Sequence, residues 1–423
     1  MHDENEPLPK EQADTYVIIL AVLIGLSLMD RQLLAVVAEP IKRDFNLTDT
    51  QLGFLTGTIF AVIFSVASLP LSWAADRISR TGILAVCATF WALCTCVVGA
   101  GTTYVHIAAA RIGLAIGEAG CNPCAQSLIA DYIPPERRGR ALAIYVMGGP
   151  AGLIAAGTLG GLLNDQFGWR VAFYVLGAIS LVAAFITAIT LPEPKRKRGA
   201  MPVTIHAASI AVPRGYAALA AKPSFRYFIA ASAFASIAIY GSLAWGTTYV
   251  VRFFGWTPGE AGAVVGTVGA VVSLGGTWLG GRMSDYLSTR DARWLLWLPA
   301  VGLLLASPCT VTAAFAPTVV WLFAASSGEA FFRTLTLAPA AAALQRLSPN
   351  DARARAAATA GVVGTLVGLG LGPLLVGAIS DSLAPRFGNN SLQYGLATMV
   401  IPQLLAMYCF LRASQTLRDD LEE

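Results

Sequence analysis

The chain has 423 residues, 56% of them hydrophobic and only 13% charged, with a formal net charge of +4. Soluble domains carry about 25% charged residues, roughly twice this share. Water is therefore excluded as its main solvent, and the 41 glycines and 22 prolines fit helices that cross lipid.

The N-terminal tail is acidic (Asp3, Glu4, Glu6, Glu11, Asp14) and has no basic stretch ahead of its first apolar core. A cleaved signal peptide is therefore not expected, and the first span serves as its own signal. Apolar runs predict twelve spans, at about 16–38, 52–75, 82–103, 105–131, 140–164, 170–191, 225–254, 259–284, 293–313, 318–347, 354–381 and 392–413. Basic residues collect after even-numbered spans: Arg77 and Arg80; Arg137, Arg138 and Arg140; Lys195 to Arg198; Arg282, Arg290 and Arg293; Arg346, Arg353 and Arg355. The opposite connections hold few, mainly Lys42, Arg43, Arg170, Arg252 and Arg386. By the positive-inside rule both termini are cytoplasmic. The expected organisation is a tail (1–15), a six-helix bundle (16–191), a cytoplasmic linker (192–224), a second six-helix bundle (225–413) and a tail (414–423). The LysArgLysArg run at 195–198 reads as a lipid-facing topogenic loop in preference to a nuclear signal or RNA-binding arm.

The two halves repeat. LeuGlyPheLeuThrGlyThr at 52–58 aligns with AlaGlyAlaValValGlyThr at 261–267, and the same offset carries Asp76 onto Asp285. GlyGluAla recurs at 117–119 and 328–330, and GlyPro at 149–150 and 372–373. Parallel six-helix repeats of this kind describe the major facilitator architecture. AlaAlaAspArgIleSerArgThr at 74–81 is similar to that superfamily's loop motif between helices 2 and 3, departing at Ser72, where a glycine usually starts it. AspArg at 30–31, ArgIleGlyLeuAlaIleGlyGluAla at 111–119 and SerLeuIleAlaAspTyrIleProPro at 127–135 resemble the spinster family, particularly its bacterial members. Proton-coupled organic-anion symporters share the AspArg and the Arg-to-Glu spacing. The fold expected is thus an all-α membrane protein with twelve transmembrane helices in two pseudo-symmetric bundles.

Ionisable side chains at membrane depth cost roughly 2.5–3.5 kcal/mol each on insertion scales, so those retained mark pathways. Arg111 and Glu118 are seven residues apart and share one helix face. Asp30 and Arg31 are adjacent, point about 100° apart and cannot aim at one spot. One reading makes these charges structural ion pairs, but buried pairs are poor stability devices. The preferred reading is that Asp30 and Glu118 exchange a proton while Arg31 or Arg111 alternates between them and an anionic substrate. An apolar wall favours the neutral carboxyl and a guanidinium the charged one, so opening the site to either side couples protonation to conformation. The spinster resemblance implies proton-sensitive acids at the positions matching Asp30 and Glu118.

Glu329 and Arg333, spaced i, i+4 with the acid first, suit an intrahelical pair. Equally, Arg333 can face a cavity and bind an acidic headgroup. Asp76, Arg77, Arg80 and Asp285 fall at cytoplasmic helix ends and read as gating latches. CysAsnProCys at 121–124 copies a redox spacing but lies mid-membrane, where packing or a kink explains it. GlyGlyProAlaGly at 148–152 serves either as a hinge or for close helix packing. Tyr240, Trp245, Phe331 and Phe332 either line an apolar side of the cavity or only pack. No lysine follows a glycine, so no phosphate loop is present, and no metal or hydrolase motif is found.

A secondary transporter working by alternating access is expected, with no enzymatic activity, no cofactor and no metal. Its expected partners are protons, membrane lipid and a small molecule, with no nucleic acid; the chain is expected to be a monomer in a bacterial inner membrane. Spinster resemblance implies an amphiphilic, anionic cargo such as a lysophospholipid or sphingoid phosphate; export by proton antiport fits that family, and the sequence leaves symport or antiport and the direction open. The alternatives are a proton-coupled symporter of small organic anions on the same fold and, from another class, a non-transporting substrate sensor.

Overall fold

The computed structural model describes residues 9–75, 77–194, 214–349 and 352–422. Asp76 and the basic run at 195–198 lie outside the described residues. Twelve spans follow one another: α1 (Lys10–Val36), α2 (Asp49–Ala75), α3 (Arg80–Ala100), α4 (Tyr104–Ala119 and Cys121–Tyr132), α5 (Pro135–Phe167), α6 (Trp169–Thr190), α7 (Pro223–Phe254), α8 (Pro258–Ser288), α9 (Trp294–Ala314), α10 (Val319–Thr334 and Leu337–Leu347), α11 (Arg353–Val363 continuing to Phe387) and α12 (Val400–Glu422). Nine uninterrupted helical stretches among the described residues are long and apolar enough to cross a bilayer. The stretch Arg355–Leu417 holds two spans, and the broken α4 and α10 complete the twelve.

Polar residues set the helix ends. Thr103 and Thr318, both extended, cap α4 and α10 by accepting the backbone N–H of His106 and Trp321. Ser79 caps α3 in the same way, from Gly82. Gly255 ends α7 at φ +69°, a left-handed conformation that glycine adopts without a Cβ clash. Large apolar side chains such as Val86, Ile189, Val271 and Val320 are exposed along the spans, as lipid-facing positions require.

The chain forms two compact units whose boundaries include Val37/Ala38, Ala61/Val62, Thr257/Pro258 and Ala263/Val264. In the first unit α1 packs on α5, and α3 on α4 and α6; in the second, α7 packs on α11, and α9 on α10 and α12. The internal repeat is thus a repeat of packing as well as of sequence. Close approach explains the glycines: a Cβ on Gly152 would stand 2.0 Å from the Gly25 carbonyl oxygen, and one on Gly372 2.5 Å from that of Ile237.

The units differ from the bundles expected from sequence at two helix ends. Residues 38–61, including the start of α2, belong with the second unit, and Pro258–Ala263, the start of α8, with the first. Both exchanges have a polar cause. Asp381 of α11 accepts the free first-turn N–H groups of Asp49 (3.0 Å) and Thr50 (2.7 Å) in α2. Asp165 of α5 accepts the N–H of Gly259 in α8 at 3.0 Å. Helix N-termini leave such donors unpaired, and a carboxylate there also meets the positive end of the dipole.

Candidate translocation site

In the first unit α1 and α4 bring their charges together, and α3 adds a hydroxyl, Thr95. Asp30, Arg111 and Glu118 are 0%, 1% and 2% exposed. Glu118 Oε2 accepts hydrogen bonds from Ser27 Oγ and Arg31 Nε, each 2.6 Å, and Arg31 Nη2 lies at the same distance. Arg31 is the member that reaches outward: about a quarter of its side chain is exposed, and its guanidinium lies 5.0 Å from the centre of the Phe64 ring. Asp30 turns the other way, to the hydroxyl of Thr95 on α3. Glu118, Arg111 and Arg31 all act electrostatically on it. Asp30 Oδ1 and Glu118 Oε1 are buried and, among the described residues, accept no hydrogen bond. The 100° between adjacent residues divides the pair as expected: Arg31 to α4, Asp30 to α3. Thr95 and Ser27 were not singled out from sequence, since a hydroxyl in an apolar helix carries no signal until its neighbour is known.

The second unit holds a half-open cavity of about 160 Å³ among α7, α8, α9 and α10, with Ser242, Val265, Thr310, Phe323, Ser326 and Arg333 among its lining residues. Glu329 lines it as well, and Arg333 Nε donates to Glu329 Oε1 at 2.8 Å. The two residues thus pair on one helix and also line a cavity. The aromatic residues Tyr240, Trp245, Phe331 and Phe332 are not among the lining residues. Trp245 is buried and donates its Nε1–H to the Pro373 carbonyl.

A second polar network in this unit went unread in the sequence. Asp49 accepts Arg252 Nη1 and Nη2 at 2.8 and 2.9 Å and Ser380 Oγ at 2.7 Å, and also pairs with Lys42. Arg252 also donates to Glu39. The available signal was that Lys42 and Arg252 sit on the side the positive-inside rule leaves poor in bases.

Of the latch candidates, Asp76 lies outside the described residues. Arg77 stacks on Trp73 at 3.8 Å. Arg80 is buried, pairs with Asp131 and Glu193 and donates to Ser127. Burial alone would raise the Glu193 carboxyl, but hydrogen bonds from Thr81, Ser79 and Arg80 outweigh it and hold Glu193 below the usual carboxylate range. Asp285 uses its backbone carbonyl to accept Ser288 Oγ. Cys121 and Cys124 are free thiols, and Cys121 donates to the Gly117 carbonyl.

A model described as Major Facilitator Superfamily matches residues 20–373. The chain belongs to the major facilitator superfamily. An MFS-type efflux pump of Mycolicibacterium smegmatis is 34% identical over 408 residues, covering 96% of this chain and 93% of that protein. Protein spinster homolog 1 of Xenopus tropicalis is 27% identical over 410 residues, covering 90% and 77%. A crystal structure of a bacterial homolog of the human lysosomal transporter Spinster, inward-facing and unoccupied, superposes with a TM-score of 0.88 at 27% identity, covering 97% and 99%. As a spinster-like major facilitator, the chain is a membrane-spanning transporter of small molecules.

Proposed function

We propose that this transporter works by alternating access, couples cargo movement to protons through Asp30 and Glu118, and carries an anionic amphiphile such as a lysophospholipid. The observation that carries the reading is that Arg31, the outward-reaching member of a sealed cluster, is also the guanidinium on Glu118. A guanidinium engaged by a cargo anion has less to give to Glu118. A carboxylate left at that depth without its partner is strongly disfavoured, and a proton removes the penalty. Cargo binding at Arg31 and proton uptake at Glu118 are therefore linked.

Proton inventory supports Asp30 as the second site. The Thr95 hydroxyl lies within hydrogen-bond reach of Asp30 Oδ2 and, at 3.1 Å, of the Trp91 carbonyl, yet it owns one hydrogen. Both contacts are satisfied together when Asp30 carries the proton and donates to Thr95 while Thr95 donates to Trp91. Arg111, buried, interacts electrostatically with both acids. The spinster-like fold favours the amphiphilic cargo, and Asp76, Arg77, Arg80 and Asp285 are assigned to the cytoplasmic latch.

The test is binding of a lysolipid panel to purified protein at two pH values. Anionic lysolipids should bind more tightly at the lower pH and take up protons from a weakly buffered solution as they bind. Binding independent of pH, with no proton uptake, removes the coupling. Tighter binding of a sugar acid than of any lysolipid replaces the cargo class.

A further inference from the structure

The cavity of the second unit has a floor with two unused edges. The only hydrogen bond between Glu329 and Arg333 runs from Nε to Oε1. Among the described residues Arg333 Nη1 and Nη2 donate to nothing and Glu329 Oε2 accepts nothing, and none of the three is a sealed, buried atom. A pair joined by one bond thus presents two donors and one charged acceptor side by side, with no net charge. Above them the walls are mainly apolar, with Val265, Val268 and Phe323 prominent.

The position of this floor in α10 is a built one. Counted from the capping threonines, Arg111 in α4 and Ser326 in α10 are each the eighth residue, and Glu118 and Arg333 each the fifteenth. Each half-helix then ends within two residues, at Ala119 and Thr334. Interrupted helices at membrane depth recur where transporters hold solutes. A cation at the C-terminal end of a half-helix is also favoured by the dipole, so Arg333 is held in place without a second carboxylate.

A lone anion would meet Glu329 beside the guanidinium, and a lone cation would meet Arg333 beside the carboxylate. A group carrying both charges satisfies both edges. We infer that this cavity binds a small zwitterion with one compact apolar substituent: an acid group on Arg333 Nη1 and Nη2, an ammonium on Glu329 Oε2, and the substituent against Val265, Val268 and Phe323. The volume suits that assignment, being close to that of the cavity of about 150 Å³ that admits benzene. The site uses neither Asp30 nor Glu118, so it goes beyond the proton-coupled reading and does not depend on it.

The test uses wild-type protein in detergent and calorimetric titration with four probes: L-leucine, its deaminated analogue 4-methylpentanoate, its decarboxylated analogue 3-methylbutylamine, and L-serine, which keeps the zwitterion but not the apolar substituent. Leucine should bind, and each of the other three at least about tenfold more weakly: the two mono-ions because a site built for two polar groups rejects analogues that lack one, and serine because it leaves the apolar wall uncovered. Arg333→Gln and Glu329→Gln should each remove the preference for leucine over the matching mono-ion. Equal affinity for leucine and 4-methylpentanoate overturns the assignment, as does the absence of leucine binding at millimolar concentration. The analogue series needs no variant, so a misfolded mutant leaves the answer intact. Neither failure touches the pH linkage of lysolipid binding, which is read with different ligands.

Discussion

In α4 the eighth and fifteenth residues after the capping threonine are Arg111 and Glu118; in α10 they are Ser326 and Arg333. Both helices break at the same count, yet the first unit fills the space behind the break with charged side chains from α1 and α4, and the second leaves it open. The difference traces to the partner helix. Asp30 and Arg31 project from α1 into the cluster, while α7 offers Ser242 and Leu243 to the cavity. A shared backbone scaffold thus carries a largely buried charge cluster in one half and a void of about 160 Å³ in the other.

The largest way to break the comparison is to remove an acid from the charge cluster. Glu118→Gln or Asp30→Asn should abolish pH-driven transport in proteoliposomes while the protein still expresses and folds. Normal pH dependence in both variants would end the coupling claim. A smaller effect separates the two ion pairs by stability. Arg31→Ala strands a buried carboxylate and should cost about 3 kcal/mol in detergent unfolding, at the low end for broken buried pairs because Arg31 is partly exposed. The double variant Arg31→Ala/Glu118→Gln should recover most of that loss. Arg333→Ala also leaves a largely buried carboxylate, Glu329, but one that lines the cavity, so its cost should be smaller than that of Arg31→Ala.

Packing gives a third contrast. Gly152→Ala and Gly372→Ala each force a methyl group onto a backbone carbonyl, and each should cost about 1–3 kcal/mol. The α1–α5 variant should suffer more, its clash being 2.0 Å against 2.5 Å for α7–α11. The smallest effect concerns Glu193. A carboxyl held below its usual range adds stability that is present above the unfolded pKa and lost as pH falls through the folded one. Acid below about pH 4 should therefore loosen the Arg80 clasp, and Glu193→Gln should flatten that dependence, as seen by hydrogen exchange at the start of α3.

Span number and the repeat were legible because lipid forces long apolar runs and charge bias on any chain that crosses it. The pairing of Arg31 with Glu118 was partly legible, since helix angles separate adjacent residues and Arg31 had a partner on α4. The repeat of GlyGluAla, by contrast, aligns Glu118 with Glu329, one turn away from the alignment that the capping threonines and helix breaks give. Short motifs drift by a turn without loss of packing, whereas a cap fixes where a helix begins. The Asp49, Arg252 and Asp381 network was illegible because its members are more than a hundred residues apart and each alone looks like an ordinary helix-end charge.

Three spans contain a wider turn: Phe54–Thr58 in α2, Ala156–Gly160 in α5 and Gly364–Leu369 in α11. Such a turn stores one residue more than a regular helix would use. Excising a single residue there, for instance Thr158, would let the coil tighten to a regular helix while everything beyond it kept its direction. Asp165, seven positions on, would still accept from Gly259 at the start of α8, whereas the same excision from a regular stretch of α5 would swing it away by about 100°.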